Sequence, residues 1–168
     1  PQLDLIRNRK GKDMQPKILT RPEMTLVGIV GTGSTVSDVD IAGLWKRFIS
    51  LSQLIAHQVD PEKGYELHIH QATSPQMHFC LVGVAVKKIE ALPIEIFAKV
   101  VPAGRYAVFT HTFSHGGFGE AFKAVYAWLE GSPYQFAHPF DIQVYDERFK
   151  GADDSESVIE ILVPIEEK

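Results

Sequence analysis

Cysteine is nearly absent. Cys80 is the one thiol among 168 residues, so no disulfide can close within the chain. It sits in the apolar run HFCLVGVAV, where a thiol reads as a small buried hydrophobe in a reducing compartment. No apolar stretch approaches the roughly 18 residues of a membrane span, and no charged-then-apolar leader opens the sequence. A cytoplasmic protein without membrane contact is therefore expected. Positive charge is also in short supply, since 17 Lys and Arg face 21 Asp and Glu and leave a net charge of −4. Direct nucleic-acid binding by the whole molecule is not expected.

Chemical signatures are sparse as well. The turn GIVGTGSTV offers Gly31-x-Gly33 but lacks the third glycine and the strand-helix-strand continuation of a dinucleotide cradle. Ser114 and Ser132 lack the setting that activates a nucleophile. Of the seven histidines, His68 and His70 share a strand face, while His111 and His115 straddle a glycine-rich break. No third ligand stands at a recognisable interval, so neither a metal nor another cofactor is expected.

What remains is an ordinary globular composition, 45% hydrophobic and 23% charged, enough for one domain or two small halves sharing a core. Residues 1–16 stand apart. Arg7, Arg9, Lys10 and Lys12 crowd there with little apolar content, which reads as a basic flexible arm, solvated or touching phosphates. The leader is too short for a helix-turn-helix, so the chain is expected to carry no DNA-binding domain. From Lys17 the sequence runs into a strand centred on Met24 to Val30. Asp38 and Asp40 can open a helix, and Ile41, Leu44, Trp45, Phe48, Leu51 and Ile55 continue it at helical spacing to about Gln58. Strands Tyr65–His70 and Phe79–Val86 follow. In the second half, Tyr106 to Thr110 is β-like, Gly116-Gly117 breaks, and Phe118, Phe122, Val125, Tyr126 and Leu129 form a helical stripe that stops at Gly131-Ser132-Pro133. Phe140 to Tyr145 then alternates as a half-buried strand.

Strand, helix, strand, strand is thus written twice, in halves of about 17–90 and 100–168. A shift of 81 lays Leu26-Val27 on Ala107-Val108 and Ile41, Leu44, Trp45 and Phe48 on Phe122, Val125, Tyr126 and Leu129. A shift of 75 lays Glu66 to His70 on Asp141 to Tyr145. The expected fold is α+β, a pseudo-twofold pair of such units with an antiparallel sheet and a groove between them. If Ile142 and Val144 lie under their own helix, Asp141, Gln143 and Tyr145 face the groove, and Glu66, His68 and His70 do likewise from the first half. Trp45, Trp128, Tyr126, Phe97, Phe113 and Phe118 are candidate walls. Aromatic faces and a part-buried carboxylate suit a flat or greasy cation. Tryptophans on helical stripes are equally read as core.

The strings PAGRYAVFTH, AVYAWLEGSPY, DIQVYDERF and EILVPI, in that order, resemble the GyrI-like effector-binding family, which also forms the ligand-sensing half of some AraC-type and MerR-type regulators. The resemblance covers about residues 17–168. It implies a small-molecule binding module, here standing alone, for cationic amphipathic drug-like compounds. Asp141, Gln143 and Tyr145 would form its polar floor, joined by Glu66, His68, Trp45, Trp128, Phe113 and Phe118. Many members carry a glutamate where this chain has Gln143, and an amide keeps the hydrogen bonds but not the charge. Asp141 or Glu66 could supply the carboxylate instead. The alternatives are a hydrolase of a reactive small molecule in the same groove, which an amide at 143 disfavours, and a module contacting a protein partner such as gyrase or a separate regulator.

Overall fold

A computed structural model of the protein describes residues 14–71 and 76–168. The basic residues of the expected arm lie outside the described residues. Met14, which that expectation included, packs against a hydrophobic cluster of the second half.

The first half contains β1 (Lys17–Arg21), β2 (Met24–Gly33), α1 (Ile41–Ser52), β3 (Gly64–Gln71), β4 (Met77–Val86) and β5 (Phe97–Val101). The second contains β6 (Gly104–Thr112), α2 (Phe118–Gly131), β7 (Tyr134–Phe136), β8 (Phe140–Tyr145) and β9 (Val158–Glu167). The fold is α+β, as expected. One antiparallel sheet runs in the order β1-β6-β9-β8-β3-β4-β2-β5, and β7 pairs with β9.

The duplication is clearest at the centre. β3 and β8 pair with Glu66 opposite Gln143, Leu67 opposite Ile142 and His68 opposite Asp141. A two-fold axis through the Leu67–Ile142 pair exchanges Glu66 with Asp141 and His68 with Gln143, which is the correspondence of the 75-residue shift. The shift of 81 holds for the helices but fails for the first strands. Leu26 packs on the face away from the helices and Val27 under α1, whereas Ala107 lies under α2 and Val108 on the far face. Strands repeat every two residues, so an offset that is one residue out of register lays each residue on one of the opposite face. The connections at 34–40 and 113–117 differ in length, so no one offset serves strand and helix alike.

The two helices begin differently. Asp40 caps α1 by accepting from the Gly43 N–H at 2.9 Å. Gly116, at φ 115°, turns the chain into α2. At the far end of α2, Lys168 Nζ donates to the carbonyls of Leu129, Glu130 and Ser132 at 2.9, 3.1 and 2.6 Å. α1 ends at Ser52, short of the expected Gln58. Ile55 keeps the apolar spacing and is buried, but the chain reverses at His57 (φ 59°), and Gln58 bridges to Val86 instead. Pro22 lacks an N–H for the ladder, so residues 17–21 form a strand of their own, and that strand pairs with β6 of the second half.

Two clusters lie beneath the helices: Val27, Phe48, Cys80 and Val82 with α1, and Ala107, Phe109, Val125 and Ile161 with α2. A third occupies the opposite face and includes Leu26, Leu67, Val101, Tyr106, Ile142 and Val144. Ile142 and Val144 therefore do not lie under their helix. The helices cover the flanking strands and leave β3 and β8 uncovered between them, so the polar side of β8 faces the helices and its apolar side turns away. Pro102 and Ala103 alone connect β5 at one end of the sheet order to β6 near the other. The sheet must curve until its margins approach, and Tyr106 Oη fastens this corner by donating to the Pro102 carbonyl at 2.7 Å.

Candidate functional site

The gap between α1 and α2, above β3 and β8, is a cavity of about 690 Å³. Its floor is polar. Glu66, His68 and His70 rise from β3, His78 from β4, and Asp141, Gln143 and Tyr145 from β8. Its walls are apolar, with Ile41 from α1 and Phe118, Phe122 and Tyr126 from α2. Ile41 and Phe122 are mates under the 81-residue shift, so the pseudo-symmetry extends to the walls. Neither Lys nor Arg lines the cavity among the described residues.

The floor is held by three hydrogen-bonded groups. In the first, Trp45 Nε1 donates to Glu66 Oε1 at 2.5 Å, and His68 Nε2 lies 3.0 Å from Glu66 Oε2. The other nitrogen of His68, Nδ1, is 3.0 Å from His78 Nε2. In the second, His70 Nε2 donates to Asp141 Oδ2 at 2.5 Å. The remaining oxygen of that carboxylate, Oδ1, is buried and has no partner among the described residues. In the third, Tyr145 Oη donates to Gln143 Oε1 at 2.8 Å. Glu66 is 5% exposed and Asp141 2%, so two carboxylates stand at the bottom of the cavity almost out of water.

Burial also sets the protonation of their neighbours. It pushes the Tyr145 phenol far above its ordinary range, and the nearby Glu66 and Asp141 carboxylates add to this, so the hydroxyl remains a donor. Burial holds His78 below the usual imidazole range, with His68 and His70 acting in the same sense. The Cys80 thiol is raised by burial and by Glu66 and Asp141, and stays protonated.

Glycines make this arrangement possible by close approach. A Cβ at Gly64 would stand 2.5 Å from the Trp45 ring, so only glycine lets the indole reach across to Glu66. A Cβ at Gly31 would meet Leu44 at 2.8 Å and Val39 at 3.0 Å, which accounts for the glycine-rich turn by helix packing.

The residues singled out from the sequence fall into three groups. Asp141, Gln143, Tyr145, Glu66, His68 and Phe118 line the cavity. Trp45 stands behind the floor, bonded to Glu66 and edge-on to Tyr145 with ring centroids 5.7 Å apart. Trp128, Phe113 and Phe97, expected as walls, are elsewhere. Trp128 is set between Phe109 and Tyr134 at 5.4 and 6.0 Å, beneath α2. It is two positions from Tyr126, about 200° around the helix, and so meets the sheet when Tyr126 meets the cavity. Phe113 is buried against Phe118 and Phe149, and Phe97 is exposed on the marginal strand β5. His78, Ile41 and Phe122 belong to the cavity although none was a candidate for it. Alternation along β4, counted back from Cys80, places His78 on this face, and His78 pairs with His70 across the strands.

Comparison with known proteins agrees with this architecture. The chain matches the GyrI-like small molecule binding domain over residues 14–166, and it belongs to that family. It is 32% identical over 155 residues to the transcriptional regulator BrlR of Pseudomonas aeruginosa, covering 92% of this chain and 56% of BrlR. The chain thus spans little more than half the length of that relative. Among solved structures it is similar to SAV2435 bound to tetraphenylphosphonium, with a TM-score of 0.70 and 19% identity over 91% of this chain and 94% of that one. It is also similar to the C-terminal domain of EcmrR, with a TM-score of 0.67 and 16% identity over 92% and 98%. At such identities the likeness is one of fold. No helix among the described residues is long and apolar enough to cross a membrane.

Proposed function

We propose that the cavity binds an amphipathic aromatic organic cation and releases it unchanged, as the ligand-sensing part of a regulatory system. The observation that carries this reading is the pair of buried carboxylates, Glu66 and Asp141, beneath aromatic walls, with histidines as neighbours and neither Lys nor Arg among the described lining residues. A buried carboxylate costs several kcal/mol unless paired, and a ligand that brings positive charge relieves that cost. Tyr126, Phe118 and Phe122 offer ring faces or edges to its apolar body. Asp141 Oδ1 has an acceptor position to spare for a ligand donor. The cocrystal of SAV2435 with tetraphenylphosphonium supports the same class of ligand by analogy of fold.

Gln143 stands in the floor between Asp141 and Tyr145 along β8. Its amide cannot act as general acid or base, which favours binding over hydrolysis at that position. Titration with tetraphenylphosphonium and with its neutral shape analogue triphenylphosphine oxide, followed by Trp45 fluorescence and by recovery of the compound, tests the reading. Saturable binding that prefers the cation, with the compound recovered intact, is the expected result. Equal affinity for both would remove the carboxylates from ligand selection, turnover would make the cavity an active site, and no binding of any cationic dye or drug would point to a protein partner.

A further inference from the structure

The floor also shares two of its side chains, Glu66 and His68, with a buried thiol that the ligand reading does not use. His68 and Cys80 are direct partners across β3 and β4, and Glu66 is two residues from His68, so all three side chains leave the sheet on one face. Cys80 Sγ is 3.9 Å from His68 Nε2, which is 3.0 Å from Glu66 Oε2, and the three atoms lie within 4.8 Å of one another. All three residues are buried.

We infer that Glu66, His68 and Cys80 form a binding site for one divalent transition-metal ion of the zinc or cobalt type. Tetrahedral zinc with bonds of about 2.0 to 2.3 Å sets neighbouring donor atoms about 3.3 to 3.6 Å apart, so a shift of the thiol by up to about an ångström, with a slight opening of the His68–Glu66 pair, closes the site. One thiolate, one imidazole and one carboxylate suit zinc and cobalt and do not suit magnesium or calcium, which take oxygen alone. Two of the three ligands already have outer partners that aim them. Trp45 Nε1 holds the oxygen of Glu66 that does not face His68, and His78 Nε2 stands where it accepts from His68 Nδ1–H once Nε2 turns its lone pair to the metal. The thiol proton leaves to solvent as the ion binds. Sequence spacing hides such a site because its ligands come from paired strands at 66, 68 and 80.

This site shares Glu66 with the organic-ligand cavity proposed above, but its test needs no organic ligand. The purified chain is stripped with a chelator and titrated with Co²⁺, then with Zn²⁺. One equivalent of Co²⁺ is expected to give a thiolate-to-cobalt charge-transfer band with tetrahedral visible bands, which Zn²⁺ abolishes. Cys80→Ser should lose the charge-transfer band and show at least about a hundredfold weaker Zn²⁺ binding. Trp45→Phe, which removes the outer donor to Glu66, should keep the band and weaken binding about tenfold. If Cys80→Ser does not fold, Glu66→Gln serves: it should also weaken Co²⁺ at least tenfold, judged by the band. No charge-transfer band at one equivalent overturns the inference. So does Zn²⁺ binding that is unchanged in Cys80→Ser or in Glu66→Gln, since the ion would then sit elsewhere.

Discussion

Glu66 and Asp141 occupy equivalent places about the two-fold axis that passes through the Leu67–Ile142 pair, yet they are bonded differently. Both oxygens of Glu66 have partners, Trp45 and His68, while Asp141 has His70 on one oxygen and, among the described residues, no partner on the other. The duplicated fold supplies two acidic positions, and their different partners give them different tasks.

Asp141→Asn tests the unpartnered acceptor. The substitution should weaken tetraphenylphosphonium, which has no hydrogen-bond donor, by about 10- to 100-fold through the lost attraction of opposite charges at a poorly solvated site, and leave the neutral analogue within about twofold. Isothermal titration of both compounds measures this. Equal losses would make Asp141 a structural residue.

Gln143→Glu adds a second carboxylate opposite Glu66, its partner across the strands. Two carboxylates opposite one another repel, so the unliganded variant should melt lower, by about 1 kcal/mol in stability, and gain more from tetraphenylphosphonium than the native chain does. Thermal shift with and without the compound checks both halves of the expectation.

Tyr126 and Trp128 should separate cleanly. Tyr126, 52% exposed at the cavity mouth, can be replaced by Ala with a stability change within about 0.5 kcal/mol and a several-fold loss of cation affinity. Trp128→Ala should cost about 3 kcal/mol in urea unfolding and leave the affinity of the folded fraction unchanged. The reverse pattern would put Trp128 in the wall.

Acid should weaken the fold partly through His78. Burial lowers its proton affinity in the folded state, so the unfolded chain takes up more protons there as pH falls through about 6.5. Stability therefore declines below that pH. The urea midpoint of His78→Gln should fall less steeply than that of the native chain between about pH 7 and 5.

Much of this was legible in the letters. Period-two alternation in FDIQVY fixed which side chains share a face, and the 75-residue shift located the symmetry axis, because both depend only on neighbours along a strand. Which face the helices cover does not follow from one strand's pattern, and so Ile142 and Val144 were set on the wrong side. Tyr126 and Trp128 stand about 200° apart on α2, at opposite edges of its apolar stripe, and only the packing of α2 on β6 and β9 decides which of them meets the cavity. Cys80, His68 and Glu66 meet through strand register, which no interval between their numbers reveals.

Because β1 leaves the first half to pair with β6, and two residues carry the chain from β5 back to that same strand, neither copy owns a complete set of strands. Cutting the backbone between residues 87 and 96 should yield fragments that gain order only when mixed. The duplicated sequence therefore encodes one cooperative body rather than two tethered ones.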